Sequence, residues 1–474
     1  MSDKYQLHVT TSKSTTDSEE ADERIVYMDD LEKRKEAYGI CGECKEPGTG
    51  WKWCQPCNAK RFKNNFKNWT SGNKDIDEFI QQSQLNAIHY YRCLEWIPFE
   101  KFQNITYIAE GGFGKVYSAK LPEGVIDYWD IENQKWHRYE LNKYALKSLN
   151  DSSDISSDFL KEIKSHLQIH LLDVVQCFGI TQDPNTKDYM MVLKYIPGEN
   201  LRNCISKSKL YIDYGLKIRA LKAIASGLLA IHNAGFVHKD FHSGNILSIY
   251  APRISDLGMC QPANKRAVEE EGTYGVLPYM APEVLRGHQY TKAADIYSFG
   301  IIMNELLSEE IPYNDIPHDE YLSIKICKGL RPKISNGVPK FLVDIMIKCW
   351  DAEIVNRPTT KQLYQMLNKW DDEIEKGESS EICLQVKECD EIGKKKFDAR
   401  SSKNKSKTIQ THPQAIYTSR LLNFKNLPEQ VNSSDLSSFQ FNSDNNYAAQ
   451  STLANPSNEL DLNEISQDEE DNIE

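Results

Sequence analysis

At 474 residues, with a formal net charge of −12 and 40% apolar residues, the chain is too long for one compact core but can build one sizeable domain with flanking segments. No run of about 18 apolar residues is present to cross a bilayer, and residues 1–20 lack the basic start and apolar stretch of a signal peptide, so a cytoplasmic protein with no membrane partner is expected. The acidic balance makes nucleic acid an unlikely partner, because tracking phosphates needs a basic surface.

After a polar N-terminus read as flexible over residues 1–35, four of the 12 cysteines form two C-x-x-C pairs, Cys41/Cys44 and Cys54/Cys57, separated by nine residues. Each pair can place two thiolates on one tetrahedral ion, and Pro47-Gly48-Thr49-Gly50 supplies a turn that folds one pair over the other. A zinc knuckle over residues 36–70 is the sharp reading; reduced thiols in a loose arm, or an iron site, stay open. Most other cysteines, such as Cys177, Cys204 and Cys349, sit singly in apolar stretches. Residues 60–67 interleave basic side chains with Phe62 and Phe66, a pattern usual for a solvated helix face. Ile76, Phe79, Ile80, Ser83, Ala87 and Tyr90 then recur at a helical period, predicting a connecting helix within 71–98 that Pro98 ends.

Gln103 and its neighbours open a strand, and Ile108-Ala109-Glu110-Gly111-Gly112-Phe113-Gly114-Lys115-Val116 reads as strand, glycine turn and strand. Glycines lacking Cβ let backbone N–H groups approach phosphate oxygens. Aromatic residues Trp129, Trp136 and Tyr139 in the following stretch point to an ordered hairpin extension. Next come a strand carrying Ala145 and Lys147, and a helix capped by Ser156 or Ser157 that carries Glu162, fifteen residues after the lysine. Residues 190–194 read as a buried strand, and Leu221, Ile224, Leu228 and Ile231 as one face of a long core helix. Then follow His238-Lys239-Asp240 and Asn245, and eleven residues later Asp256-Leu257-Gly258. Asp240, Asn245 and Asp256 are oxygen donors suited to a hard cation that keeps several waters.

This ordered set resembles the eukaryotic protein kinase superfamily over residues 99–370, and the run from His238 to Leu247 is most similar to its tyrosine-kinase-like branch. The resemblance implies a bilobal α+β kinase fold, with an antiparallel N-terminal sheet plus helix and a mainly helical C-terminal lobe. It also implies γ-phosphoryl transfer from MgATP to protein hydroxyls of serine or threonine, with protein substrates in signal transduction. Lys147 would pair the α- and β-phosphates and be held by Glu162. Asp240 would be the base, and Asn245 and Asp256 would bind magnesium. Ala109, Gly111, Gly112, Gly114 and Val116 would cover the nucleotide, while Ala145, Leu193 and the backbone of Lys194, Tyr195 and Ile196 would hold adenine. His238 would pack beneath the loop and bond backbone. Tyr279-Met280-Ala281-Pro282-Glu283 resembles the end of an activation segment, with Glu283 pairing Arg357, and Asp295 begins a helix that underpins the catalytic loop.

Departures from the family pattern are Ala109 for the first glycine, Lys239 for arginine, His242 where serine/threonine kinases commonly carry lysine, and Leu257 for phenylalanine. Thr273 and Tyr274 read as candidate phosphosites. Beyond Trp370 the polar, acidic composition predicts a disordered tail over 371–474. Within it, residues 415–424 are apolar enough to dock on a partner or back on the kinase. Two readings from other classes stand beside the kinase: a pseudokinase, and a scaffold that contacts signalling partners through the knuckle.

Overall fold

The computed structural model describes residues 8–10, 25–111, 114–149, 157–169, 173–207, 211–263, 273–377, 380–402 and 411–432. Near the N-terminus β1 (His8–Thr10) pairs in parallel with β2 (Ile25–Tyr27), and α1 (Leu31–Tyr38) leads into the two cysteine pairs. α2 (Gln55–Asn65) starts from Cys54 with Pro56 in its first turn, where the missing N–H is harmless. α3 (Lys74–Asn86) is capped by the Asn73 side chain, which accepts from the amides of Asp75 and Ile76. Its Ile76 and Ile80, one turn apart and fully buried, pack with Phe159 and Ile163 of α4 (Ser157–Gln168), so α3 braces the helix that carries Glu162.

One helix reaching Pro98 is not what forms. α3 stops at Asn86, where Ala87 turns extended, a 3₁₀ turn covers Tyr90–Arg92, and β3 (Glu95–Trp96) finds the free edge of a sheet. Pairing with β3 satisfies main-chain groups of that edge strand that would otherwise stand unpaired. That sheet has six strands in the order β3-β9-β10-β8-β5-β4, built from β4 (Gln103–Gly111), β5 (Gly114–Lys120), β8 (Tyr144–Leu149), β9 (Cys177–Gln182) and β10 (Tyr189–Lys194). All its pairings are antiparallel except β3 with β9.

Between β5 and β8 an inserted hairpin, β6 (Val125–Asp130) and β7 (Lys135–Tyr139), reaches toward the cysteine module. Trp136 stacks on Phe62 with centroids 4.7 Å apart and lies 5.9 Å from Trp53, whose indole N–H donates to the Ala87 carbonyl at 2.7 Å. The Arg61 guanidinium sits 4.4 Å over Trp129. The knuckle, α2, the stretch that follows α3 and the hairpin thus share one apolar cluster, while Lys60, Lys63 and Lys67 face solvent.

The second lobe is helical, with α5 (Leu201–Lys207), α6 (Tyr214–Asn233), α7 (Pro282–Leu285), α8 (Lys292–Ser308), α9 (Glu320–Cys327), α10 (Lys340–Cys349) and α11 (Thr360–Lys376). Asp213 caps α6, accepting from the Leu216 amide at 2.8 Å, and Leu221, Ile224, Leu228 and Ile231 are all in the core. α8 is apolar on nearly every side and is buried almost throughout, as such a helix must be. Short strands β11 (Phe236–Val237), β12 (Ile246–Leu247), β13 (Arg253–Ile254) and β14 (Gln261–Pro262) frame the loops between α6 and the segment before α7.

The expectation of disorder from residue 371 onward is corrected for part of that stretch. α11 runs past Trp370 to a left-handed Gly377 cap, and α12 (Glu381–Ser402) follows. Cys383 and Val386 of α12 are buried, and Asp390 accepts from the Tyr211 hydroxyl and the Tyr214 amide at 2.9 Å each. Residues 411–432 then lie against the helical lobe. The antiparallel partner of β15 (Thr273–Gly275) is β16 (Arg420–Leu422). Average composition misses such segments, because a chain that docks on an existing core needs few apolar residues and strand pairing uses only main chain. Residues 433–474 lie outside the described residues.

Candidate active site

Lys147 stands on β8 opposite Val116 of β5 and Met191 of β10. Its ammonium donates to Glu162 Oε1 at 2.8 Å and to Asp256 Oδ1 at 2.9 Å. Burial works against the Lys147 charge, but Asp256 and Glu162 outweigh it and hold the amine protonated. The Asp256 carboxyl is likewise pushed up by burial and brought below its ordinary value by Lys147. Asp256 adopts φ +60°, a left-handed conformation uncommon for a residue with a side chain and typical of sites the surrounding fold over-determines. A Cβ at Gly258 would come within 3.2 Å of Glu162 Oε2, so glycine lets the two carboxylates share the lysine.

Asp240 is buried at the floor of the cleft. Its loop is pinned from below by Asp295 of α8, whose carboxylate accepts from the amides of His238 at 2.8 Å and Lys239 at 3.2 Å, and lies 2.9 Å from His232 Nε2. Lys239 takes φ +69° to make this turn, and its ammonium donates to Gln261. The Asn245 amide donates to the Asp240 carbonyl at 2.9 Å and to Oδ2 at 3.2 Å, which leaves its own oxygen as an acceptor for a cation. His242 Nε2 is 3.6 Å from Asp240 Oδ2. Burial pushes the Asp240 carboxyl up, but the charge and hydrogen bond of His242 and the hydrogen bond from Ser419 prevail and bring it down to about 2. The reading of His238 is revised. It packs on Phe241 and is fully buried, but neither ring nitrogen has a hydrogen-bond partner among the described residues; only its amide bonds, to Asp295.

In the hairpin expected to cover the nucleotide, Ala109 pairs with Val116 and Gly111 with Gly114, closing its tip, while Gly112 lies outside the described residues, as does Ser156. Ala145 is directly opposite Leu193 in adjacent strands, which makes one apolar wall. The Lys194 amide donates to the Gln176 carbonyl at 2.8 Å, so that donor is removed from the edge expected to meet adenine, and Tyr195 and Ile196 follow it half-buried. Below, Arg357 makes a bidentate pair with Glu283 at 2.6 and 2.8 Å, with both side chains almost wholly buried. Tyr279 donates to Glu305 at 2.7 Å and lies 3.0 Å from the Ser243 hydroxyl, tying the segment before α7 to the loop that carries Asp240 and Asn245.

The sulfurs of Cys41, Cys44, Cys54 and Cys57 all lie within 4.8 Å of one another, with 4.0 Å between Cys41 and Cys57 and 3.5 Å between Cys44 and Cys54. Four thiolates at about 2.3 Å from a tetrahedral zinc ion would stand about 3.8 Å apart, so this donor set fits that ion. Cys41 to Lys45 form a tight knuckle, Lys45 taking φ +63°, and Cys57 comes from the first turn of α2.

One residue escaped the sequence reading. Ser419 Oγ donates to both carboxylate oxygens of Asp240 at 2.6 Å. Docking of residues 415–424 back on the kinase is legible as one of two options, but a contact across 179 residues leaves no local periodicity from which Ser419 could be singled out. Thr273 and Tyr274 lie in β15 beneath this same tail strand.

Sheet lobe, helical lobe and the cleft residues between them define a protein kinase domain. A family model described as protein tyrosine and serine/threonine kinase matches residues 102–367, and the chain belongs to that family. It is similar to a probable serine/threonine-protein kinase of Dictyostelium discoideum, 29% identical over 252 residues, covering 48% of this chain and 16% of that protein. It is also similar to the MDIS1-interacting receptor like kinase 2 of Arabidopsis thaliana, 29% identical over 280 residues, with coverages of 53% and 24%. Similarity to the dual specificity protein kinase shkC of Dictyostelium discoideum is 26% over 268 residues, with coverages of 55% and 50%. The match thus spans half or less of each of these relatives' own length. No helix among the described residues is long and apolar enough to cross a membrane.

Proposed function

We propose that this chain is an active, tyrosine-kinase-like protein kinase that transfers the γ-phosphoryl group of MgATP to serine or threonine hydroxyls of proteins in intracellular signalling. The observation that carries the reading is the assembled set of Lys147, Glu162 and Asp256 in mutual contact beside an ionised Asp240. Phosphoryl transfer needs positioning and charge neutralisation more than covalent chemistry. Asp240 accepts and aims the acceptor hydroxyl, while Lys147, clamped by Glu162, meets the α- and β-phosphates. Asn245 and Asp256 would hold magnesium, which supplies neutralising charge to the phosphates when bound. Serine over tyrosine is favoured by the hydroxyl already seated on Asp240, that of Ser419. The four-cysteine module is proposed as a structural zinc site that holds the knuckle against α3 and the hairpin.

The test is incorporation of labelled phosphate from MgATP into casein by the native chain and by Asp240→Asn. Labelling lost in the variant supports the reading, with acid hydrolysis reporting the amino acid modified. Absence of labelling in both, with ATP still bound, would refute it in favour of the pseudokinase.

A further inference from the structure

We infer that Ser419 is the chain's own phosphoacceptor, modified in cis, and that the groove holding it selects a serine with tyrosine two residues before and leucine three residues after. The inference rests on the kinase reading above. Four observations converge on it. The Ser419 hydroxyl is 2.6 Å from each oxygen of Asp240, the distance at which a base must meet the hydroxyl it activates.

The main chain just beyond is held in one direction and register. Arg420 pairs with Gly275, Leu421 with Tyr274 and Leu422 with Thr273, so β15 serves as a template strand and sets how deep the serine enters. Side chains on both sides of Ser419 occupy built positions. The Tyr417 ring lies under the Arg202 guanidinium at 4.8 Å, and its hydroxyl donates to the Pro312 carbonyl at 2.7 Å. Leu422 is 6% exposed within the core of the helical lobe. The segment is also tied at its two ends, by the His412 amide to the Asn314 carbonyl at 2.8 Å and by the Val431 amide to the Cys327 carbonyl at 2.9 Å. Delivery is therefore intramolecular. A peptide that served only to block the cleft would need no hydroxyl at this position, whereas a serine presents a nucleophile.

The transfer balances as a single displacement. The Oγ–H proton passes to Asp240 as Oγ bonds the γ-phosphorus of the magnesium-bound nucleoside triphosphate. The bond from that phosphorus to the β–γ bridging oxygen breaks, and the nucleoside diphosphate departs with the electron pair. Asp240, a weak base, then passes the proton to water, so that the product sets a phosphate dianion beside its regenerated carboxylate, and their repulsion favours release of the strand.

The experiment incubates the full chain with MgATP and casein, maps phosphosites by mass spectrometry, and repeats the reaction over an about tenfold range of protein concentration. The expected result is phosphate on Ser419 with a first-order rate constant independent of concentration, and loss of that mark in Ser419→Ala while casein is still labelled. Casein labelled with Ser419 unmodified would overturn the inference and leave the kinase reading standing; label on neither would overturn both. A rate that rises with concentration would refute transfer in cis. For the sequence preference, a synthetic peptide of residues 411–432 is offered to the Ser419→Ala chain. Lower labelling of its Tyr417→Ala and Leu422→Ala forms is expected, and equal labelling would overturn the preference.

Discussion

Replacing Arg357 by methionine isolates the contribution of the buried pair that anchors α7. The Glu283 and Arg357 side chains are 2% and 0% exposed and joined by two charge-assisted hydrogen bonds. Loss of the guanidinium strands the carboxylate, whose partners among the described residues are those two bonds alone, and the expected loss is about 3–5 kcal/mol of unfolding free energy. The reverse change, Glu283→Gln, should be milder. Arg357 keeps the Ala293 carbonyl at 3.0 Å and the Asp351 carbonyl at 2.8 Å, and glutamine can still accept one bond. The double variant Glu283→Gln/Arg357→Met removes both charges and should recover much of the loss. Urea unfolding of all four proteins closes the cycle. Single variants within about 1 kcal/mol of the native chain, or a double variant as unstable as the sum of the singles, would refute the claim that stranded charge sets the penalty.

Three further outcomes follow from the same geometry. Lys147→Met should lower casein labelling by two orders of magnitude or more, roughly the scale of one lost electrostatic group, and should also lower the unfolding midpoint, because Glu162 and Asp256 lose the counter-charge they share. Asp240 sits at about 2 in the folded chain against an ordinary 3.8, so ionisation stabilises the fold by about 2 kcal/mol above pH 4, and that share is lost as pH falls from about 4 through 2. Native and Asp240→Asn proteins compared by denaturant unfolding should therefore differ least at the acid end; a native advantage that grows with acidity would contradict the assignment. Paired Cys41→Ser and Cys44→Ser changes should eliminate tightly held zinc in metal analysis of the purified chain and shorten the life of the N-terminal module under protease, whereas equal metal content would dismiss the four-thiolate site.

Legibility followed the range of the interactions. α6 could be read because its apolar stripe is a property of one segment, and the β6–β7 hairpin because clustered aromatic residues announce buried surface. The end of α3 could not be read, since Ala87 and Tyr90 keep the helical period while Glu95 and Trp96 are captured by a sheet edge formed from distant residues. A histidine at this spacing reads as bonding backbone through its ring, but the ring packs on Phe241 and neither of its nitrogens meets a hydrogen-bond partner among the described residues, a matter of side-chain placement that spacing does not encode. α12 and residues 411–432 look like solvent-loving chain because the apolar surface they need is provided by the helical lobe. Ser419 is the extreme case, a polar residue whose setting depends wholly on where two remote stretches meet.

The two ties at His412 and Val431 make residues 411–432 a resident ligand rather than a visitor. A tethered strand experiences an effective concentration on the order of millimolar. If the free strand bound with a dissociation constant of about 100 μM, the groove would be empty only about a tenth of the time, and any outside protein competing for it would show an affinity weakened about tenfold. The length of the tether, and not only the chemistry of the groove, therefore sets the threshold that a second protein must exceed to reach Asp240.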